Sequence, residues 1–149
     1  MSLLKSLGYV TVSTADIDRW REFAFGVLGF AQGSGPDPSA LYLRMDERAA
    51  RIIVVPGDGD RIVTVGWEVR DHAALVALKA VLDGAGVPFK ELSQADADAR
   101  RVEEVITFDD PAGTTLEVFH GAVLDHSPVV TPFGARFVNS CSSVGSRRR

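Results

Sequence analysis

One pattern is written twice in this chain, and that duplication narrows the folds open to it more than any other feature. Lys5 to Ser13 reads as a strand, with Leu7, Tyr9, Thr11 and Ser13 alternating against Gly8, Val10 and Val12. Thr14 then offers a hydroxyl as helix N-cap. Ile17, Trp20, Ala24, Val27 and Leu28 mark one helical face, and Gly29 supplies a stop. Two strands follow, Leu41 to Met45 and Arg51 to Val55, before Pro56-Gly57-Asp58-Gly59 closes the unit. The second copy opens with Ile62 to Val69 as strand and Asp71 as N-cap. Ala74, Leu75, Leu78, Val81 and Leu82 form its helical face, ended by Gly84 and Gly86. After a polar loop or short helix from Ser93 to Ala99, Val102 to Phe108 and Thr114 to Phe119 are its last strands.

The copies align at an offset of 58, which sets Gly8-Tyr9-Val10 on Gly66-Trp67-Glu68 and Ile17, Trp20 and Ala24 on Leu75, Leu78 and Leu82. Each module is strand, helix and further strands, four in all with a short one near Ala31 to Gly33. One curved sheet with a single helix cannot cover both of its faces, so two modules must pack together. The expectation is an α+β protein of two tandem βαβββ modules, about residues 4–57 and 61–121, followed by a connecting segment to 138. At 149 residues and 46% hydrophobic the chain can bury such a core.

The last turn and strand carry the most pointed chemistry. Asp110, Pro111 and Gly113 are turn residues, and Thr114 to Phe119 place Thr115, Glu117 and Phe119 on one face. A carboxylate in mid-strand between apolar neighbours points either at water or at something that wants an oxygen ligand.

Charge and composition exclude several partners. The formal charge is −4, yet three of the 16 basic residues are Arg147, Arg148 and Arg149 at the extreme end, so the body is clearly acidic. That argues against nucleic acid or an anionic membrane. No apolar run approaches the ~20 residues of a spanning helix, and the N-terminus lacks a signal-peptide pattern. The lone Cys141 leaves no internal disulfide and fits a cytoplasmic protein. No Gly-x-Ser-x-Gly elbow appears, and Gly33-Ser34-Gly35 runs into Pro36-Asp37-Pro38 with no helix to make a phosphate cradle. Glu103-Glu104 and Asp109-Asp110 are adjacent acids whose side chains diverge, which reads as a solvated edge.

The module pair, with Asp110-Pro111-Ala112-Gly113 leading to Glu117, resembles the vicinal oxygen chelate superfamily of glyoxalases, bleomycin resistance proteins and dioxygenases. Leu41-Tyr42-Leu43-Arg44-Met45-Asp46, Gly66-Trp67-Glu68, Leu116-Glu117-Val118-Phe119-His120-Gly121 and Pro132-Phe133-Gly134-Ala135-Arg136-Phe137-Val138 are similar to the N-terminal domain of type I extradiol dioxygenases, which cleave biphenyl- and steroid-type catechols. The resemblance spans roughly Leu4 to Val138. It implies an intact enzyme that holds iron(II) through two His and one Glu of a C-terminal domain, takes a catechol as its small-molecule partner and forms a homo-oligomer. Residues 139–149 depart from that pattern. They read as a truncation, with a natural disordered tail as the alternative.

The resemblance also implies where a metal would sit in such modules: ligands come from each first strand and from the last strands. Here the first-strand positions fall at Tyr9 and Trp67, which are not iron(II) ligands, and Glu117 alone stands at a ligand position. No metal or other cofactor is therefore expected in this chain. Tyr9, Trp67 and Glu117 are candidates to line the cleft, with core packing an equal account of the aromatic pair. His120 lies on the opposite strand face from Glu117. With His72 and His126 it reads as a surface or packing histidine. Two functions follow: the non-metal-binding N-terminal domain of an extradiol dioxygenase, inactive alone, or a stand-alone module binding a small hydrophobic ligand.

Overall fold

The computed structural model describes residues 2–129. The Pro132–Val138 motif, Cys141 and the terminal arginines lie outside them. The modules join edge to edge into one eight-stranded sheet, not as two separate sheets stacked on each other. Its strands are β1 (Leu4–Thr14), β2 (Ala31–Gln32), β3 (Leu41–Arg44), β4 (Ile52–Pro56), β5 (Arg61–Val69), β6 (Lys90–Glu91), β7 (Glu104–Asp109) and β8 (Thr115–His120). Their spatial order is β2-β3-β4-β1-β5-β8-β7-β6, so each half repeats one topology outward from the centre. The first strands β1 and β5 pair antiparallel at the seam. Each also pairs in parallel with the last strand of its own module, β4 or β8. That connection needs a crossover helix, which is what each module's helix supplies.

Strand alternation fixes which residues face the helices. On the outer face, α1 (Ile17–Glu22) and the π-helical turn after it (Phe23–Val27) cover Leu41, Leu43, Ile52 and Val54 through Ile17, Trp20 and Ala24. In the second module, α2 (His72–Gly84) lays Ala74, Leu75, Leu78 and Leu82 on Val69, Ile106, Val118 and Trp67. These stripes carry the 3.6-residue period read from the sequence, but Val27, Leu28 and Val81, expected on them, are exposed; from Phe23 the first helix is π-helical, which breaks its α-helical period. Asp71 caps α2, accepting from the Ala74 amide at 2.9 Å. In the first module the cap is Asp16, which accepts from the Arg19 amide at 2.9 Å, and not Thr14. Thr14 is still part of β1, paired with Pro56, and its hydroxyl is engaged by Asp60 and the Asp16 amide.

The inner face is covered differently. The Ser93–Ala99 segment forms a short helix, α3 (Gln94–Ala99), with a capping box between Ser93 and Asp96. Its Ala97 packs with Val102 and Val105 against Tyr9 and Phe119. Tyr9 and Phe119 stack with ring centroids 5.1 Å apart, and glycines make the room. A Cβ on Gly66 would lie 2.5 Å from the Tyr9 ring, and one on Gly8 would lie 2.2 Å from Phe119. The Tyr9 ring thus lies over Gly66 of the adjacent β5, and the Phe119 ring reaches across β5 to lie over Gly8 of β1.

The chain after β8 returns to the first module. The Ala49 amide donates to the Val123 carbonyl at 2.9 Å and the Asp125 amide to the Glu47 carbonyl at 2.7 Å. Arg44, buried, donates through Nη2 to the Asp125 and Ser127 carbonyls, both at 2.8 Å. Among the described residues no helix is long and apolar enough to cross a membrane.

Candidate functional site

Two clusters of polar side chains stand out, one on each face of the sheet. The inner one centres on Glu117. The Asp110 turn sets the register of β7 and β8: its carboxylate accepts from the Ala112 and Thr114 amides at 2.8 Å, and Gly113 takes φ 83°. Glu117 then points inward between Tyr9 and Phe119 and is 1% exposed. Its charge is met in full. Arg100, at the end of α3, donates Nε to Oε2 at 2.7 Å and Nη2 to Oε1 at 2.6 Å. The Tyr9 hydroxyl donates to Oε2 as well.

This is a bidentate guanidinium–carboxylate pair with a phenol closing it. Burial, and then the charge of Glu117, pushes the Tyr9 phenol well above its ordinary value, so Tyr9 remains a donor. Burial works against the Arg100 charge, and the hydrogen bonds to Glu117 more than restore it. A cation approaching Glu117 would have to displace a guanidinium that already neutralises the carboxylate. The neighbouring strand offers no second ligand, since the register partner of Glu117 on β5 is Gly66. Among the described residues, those around Glu117 thus do not supply the two His and one carboxylate of an iron(II) centre.

The outer cluster gathers His72, Glu104 and His120. Register places Glu104 directly across from His120 on one face of the β7–β8 hairpin, and the first turn of α2 lays His72 beside them. His72 Nδ1 lies 2.8 Å and His120 Nε2 lies 3.1 Å from the same oxygen, Glu104 Oε2. Lys79 donates to Glu104 Oε1 at 2.8 Å and also to Glu91. Glu103 stands 3.6 Å from His120 Nδ1. Partial burial opposes the Glu104 charge, but hydrogen bonds from Lys79, His72 and His120 outweigh it and hold the carboxyl at about 2.

Of the three residues expected at the cleft, the structure brings two together. Tyr9 and Glu117 touch. Trp67 points the other way and packs into the core under α2, because the register partner of Tyr9 across the seam is Gly66. The pairing is irregular at this point, with Leu7 opposite Trp67 and Tyr9 opposite Gly66. Sequence reasoning missed Arg100, which α3 carries inward, and it read Glu104 as a solvated edge. The hairpin itself held the signal for Glu104: counting back from the Asp110 turn pairs Asp109 with Thr115 and, five steps on, Glu104 with His120.

The fold defines the class: two βαβββ modules sharing one sheet, the vicinal oxygen chelate fold. Within that class, the family model described as Dihydroxybiphenyl dioxygenase BphC D1 matches residues 7–57. An iron-dependent extradiol dioxygenase of Rhodococcus jostii (strain RHA1) is 46% identical over 142 residues, 95% of this chain and 47% of that protein. A biphenyl-2,3-diol 1,2-dioxygenase of Sphingomonas paucimobilis is 32% identical over 148 residues, 97% of this chain and 50% of that one. A solved catechol 2,3-dioxygenase superposes with a TM-score of 0.79 at 34% identity, covering 84% of this chain and 42% of that one. What this chain matches is the N-terminal domain of extradiol dioxygenases. It spans about half the length of the curated relatives it matches.

Proposed function

We propose that this chain is the scaffold domain of an extradiol catechol dioxygenase. It would work by packing against a catalytic domain that holds the iron(II), would help enclose an aromatic or steroid-type catechol, and would have no turnover of its own. The observation that carries this reading is the engagement of Glu117. At the strand position where a carboxylate could serve a metal, both oxygens are taken by Arg100 and Tyr9 in a buried, neutral cluster. The similarity to extradiol dioxygenases over 95% of this chain supports the substrate class. The apolar groove of about 430 Å³ lined by Val10, Val12, Trp20, Ile52 and Ile62 supports a packing role, since such surface is seldom left to water.

The test is incubation of the chain with 2,3-dihydroxybiphenyl, iron(II) and air. No yellow ring-opened product is expected. Turnover by the chain alone that disappears in Glu117→Gln would overturn the reading.

A further inference from the structure

We propose that His72, Glu104 and His120 bind a divalent transition-metal ion of the zinc class on the outer face of the second module. This site is separate from Glu117, and the proposal is independent of the dioxygenase reading. Three elements bring the donors together: the first turn of α2, the start of β7 and the end of β8. The donor atoms all lie within 4.8 Å of one another.

Metal–nitrogen and metal–oxygen bonds of about 2.0–2.2 Å, at angles between octahedral and tetrahedral, set neighbouring ligands roughly 2.8–3.6 Å apart. The two separations to Glu104 Oε2, 2.8 and 3.1 Å, already lie close to that span. The remaining gap is between the two imidazoles. His72, with a side chain 65% exposed, can swing to close it without disturbing the core, while His120 is 11% exposed and held.

The surroundings assign the donor atoms. Glu103 stands 3.6 Å from His120 Nδ1, so an ion that takes Nε2 leaves Nδ1–H facing a carboxylate, the carboxylate–histidine–metal arrangement that orients metal-bound imidazoles. Lys79 occupies Glu104 Oε1 and leaves Oε2 as the ligating oxygen. Two imidazole nitrogens and one carboxylate suit Zn²⁺, Co²⁺ or Ni²⁺. Ca²⁺ and Mg²⁺ prefer oxygen ligands throughout. Glu91, Glu103 and Glu104 outweigh Lys79, so the local field favours a cation. With three protein donors and an exposed His72, the outward positions on the ion are left to water.

Calorimetric titration of the chain with Zn²⁺ tests this, in a Cys141→Ser background that removes the lone thiol. The expected result is one saturable site, weakened about tenfold or more in His72→Ala, which is one lost ligand at roughly 1.4 kcal/mol per tenfold. His72→Ala changes an exposed side chain, so the variant should fold as the parent does. The third histidine supplies the control: binding in His126→Ala is expected to be unchanged. Imidazole NMR signals of His72 and His120 should move together on Zn²⁺ addition. Absence of saturable binding, undiminished binding in His72→Ala, or loss of binding in His126→Ala would each overturn the proposal.

Discussion

Replacing Arg100 by Met isolates what the inner cluster contributes. The guanidinium makes two hydrogen bonds to Glu117, at 2.6 and 2.7 Å, and Glu117 is 1% exposed. After the substitution the buried carboxylate keeps only the Tyr9 hydroxyl of its three hydrogen bonds. Breaking a buried ion pair by removing one partner costs about 3–5 kcal/mol, because the other charge is left uncompensated. Against a typical domain stability of about 5–15 kcal/mol, that is a large share. At roughly 2–4 °C per kcal/mol for a chain of this size, the melting temperature should fall by about 10 °C. Urea unfolding followed by circular dichroism gives the free energy, and the double variant Arg100→Met with Glu117→Gln completes the cycle. The neutral amide can still accept from Tyr9 and carries no stranded charge, so the double variant should recover most of the loss. The reasoning is refuted if Arg100→Met costs less than about 1 kcal/mol, or if the two substitutions are additive within about 0.5 kcal/mol.

Two further outcomes follow from the same geometry. Gly66→Ala drives a Cβ to 2.5 Å from the buried Tyr9 ring, an overpacking expected to cost about 1–3 kcal/mol. Gly59→Ala, with nothing within 4 Å of its Cβ, should leave the urea midpoint unchanged. Glu104 sits at about 2 because Lys79, His72 and His120 hold its charge against partial burial. A carboxyl depressed in the folded state contributes stability above its unfolded value and loses it as pH falls through the folded one. The urea midpoint should therefore decline between about pH 4.5 and pH 2, and Glu104→Gln should flatten that limb. Running both with a chelator keeps any bound ion out of the comparison, and an unchanged slope in Glu104→Gln would count against the assignment.

How much of this was legible in the sequence depends on the distance over which each feature is encoded. The helices of both modules, the Asp71 cap, the Asp110 turn and most strand boundaries (to within one or two residues) are local, written in a period or a single turn residue; the exceptions are Val27, Leu28 and Val81, expected on the helical faces and found exposed. The Thr14 cap failed for a local reason too: β1 runs one residue further, and Asp16 has the better approach to a free amide. The site needed more. Glu117 was visible as a mid-strand acid, but its partner Arg100 reaches it only because a six-residue helix folds under the sheet, and no periodicity announces where a short polar helix will dock.

The two histidine-bearing elements show the same limit from the other side. Strand parity correctly separates His120 from Glu117, and taken alone it leaves His120 without a partner. A hairpin pairs residues as well as alternating them, so the residue facing His120 is fixed by the turn: the register from Asp110 puts Glu104 opposite it. The third member, His72, depends on the crossover. A parallel β5–β8 pair forces α2 to start where β5 ends and to run back over the sheet, which sets its first turn above the ends of β7 and β8. Parity, register and crossover together are enough to converge these three side chains. Any one of them alone yields three unrelated surface residues.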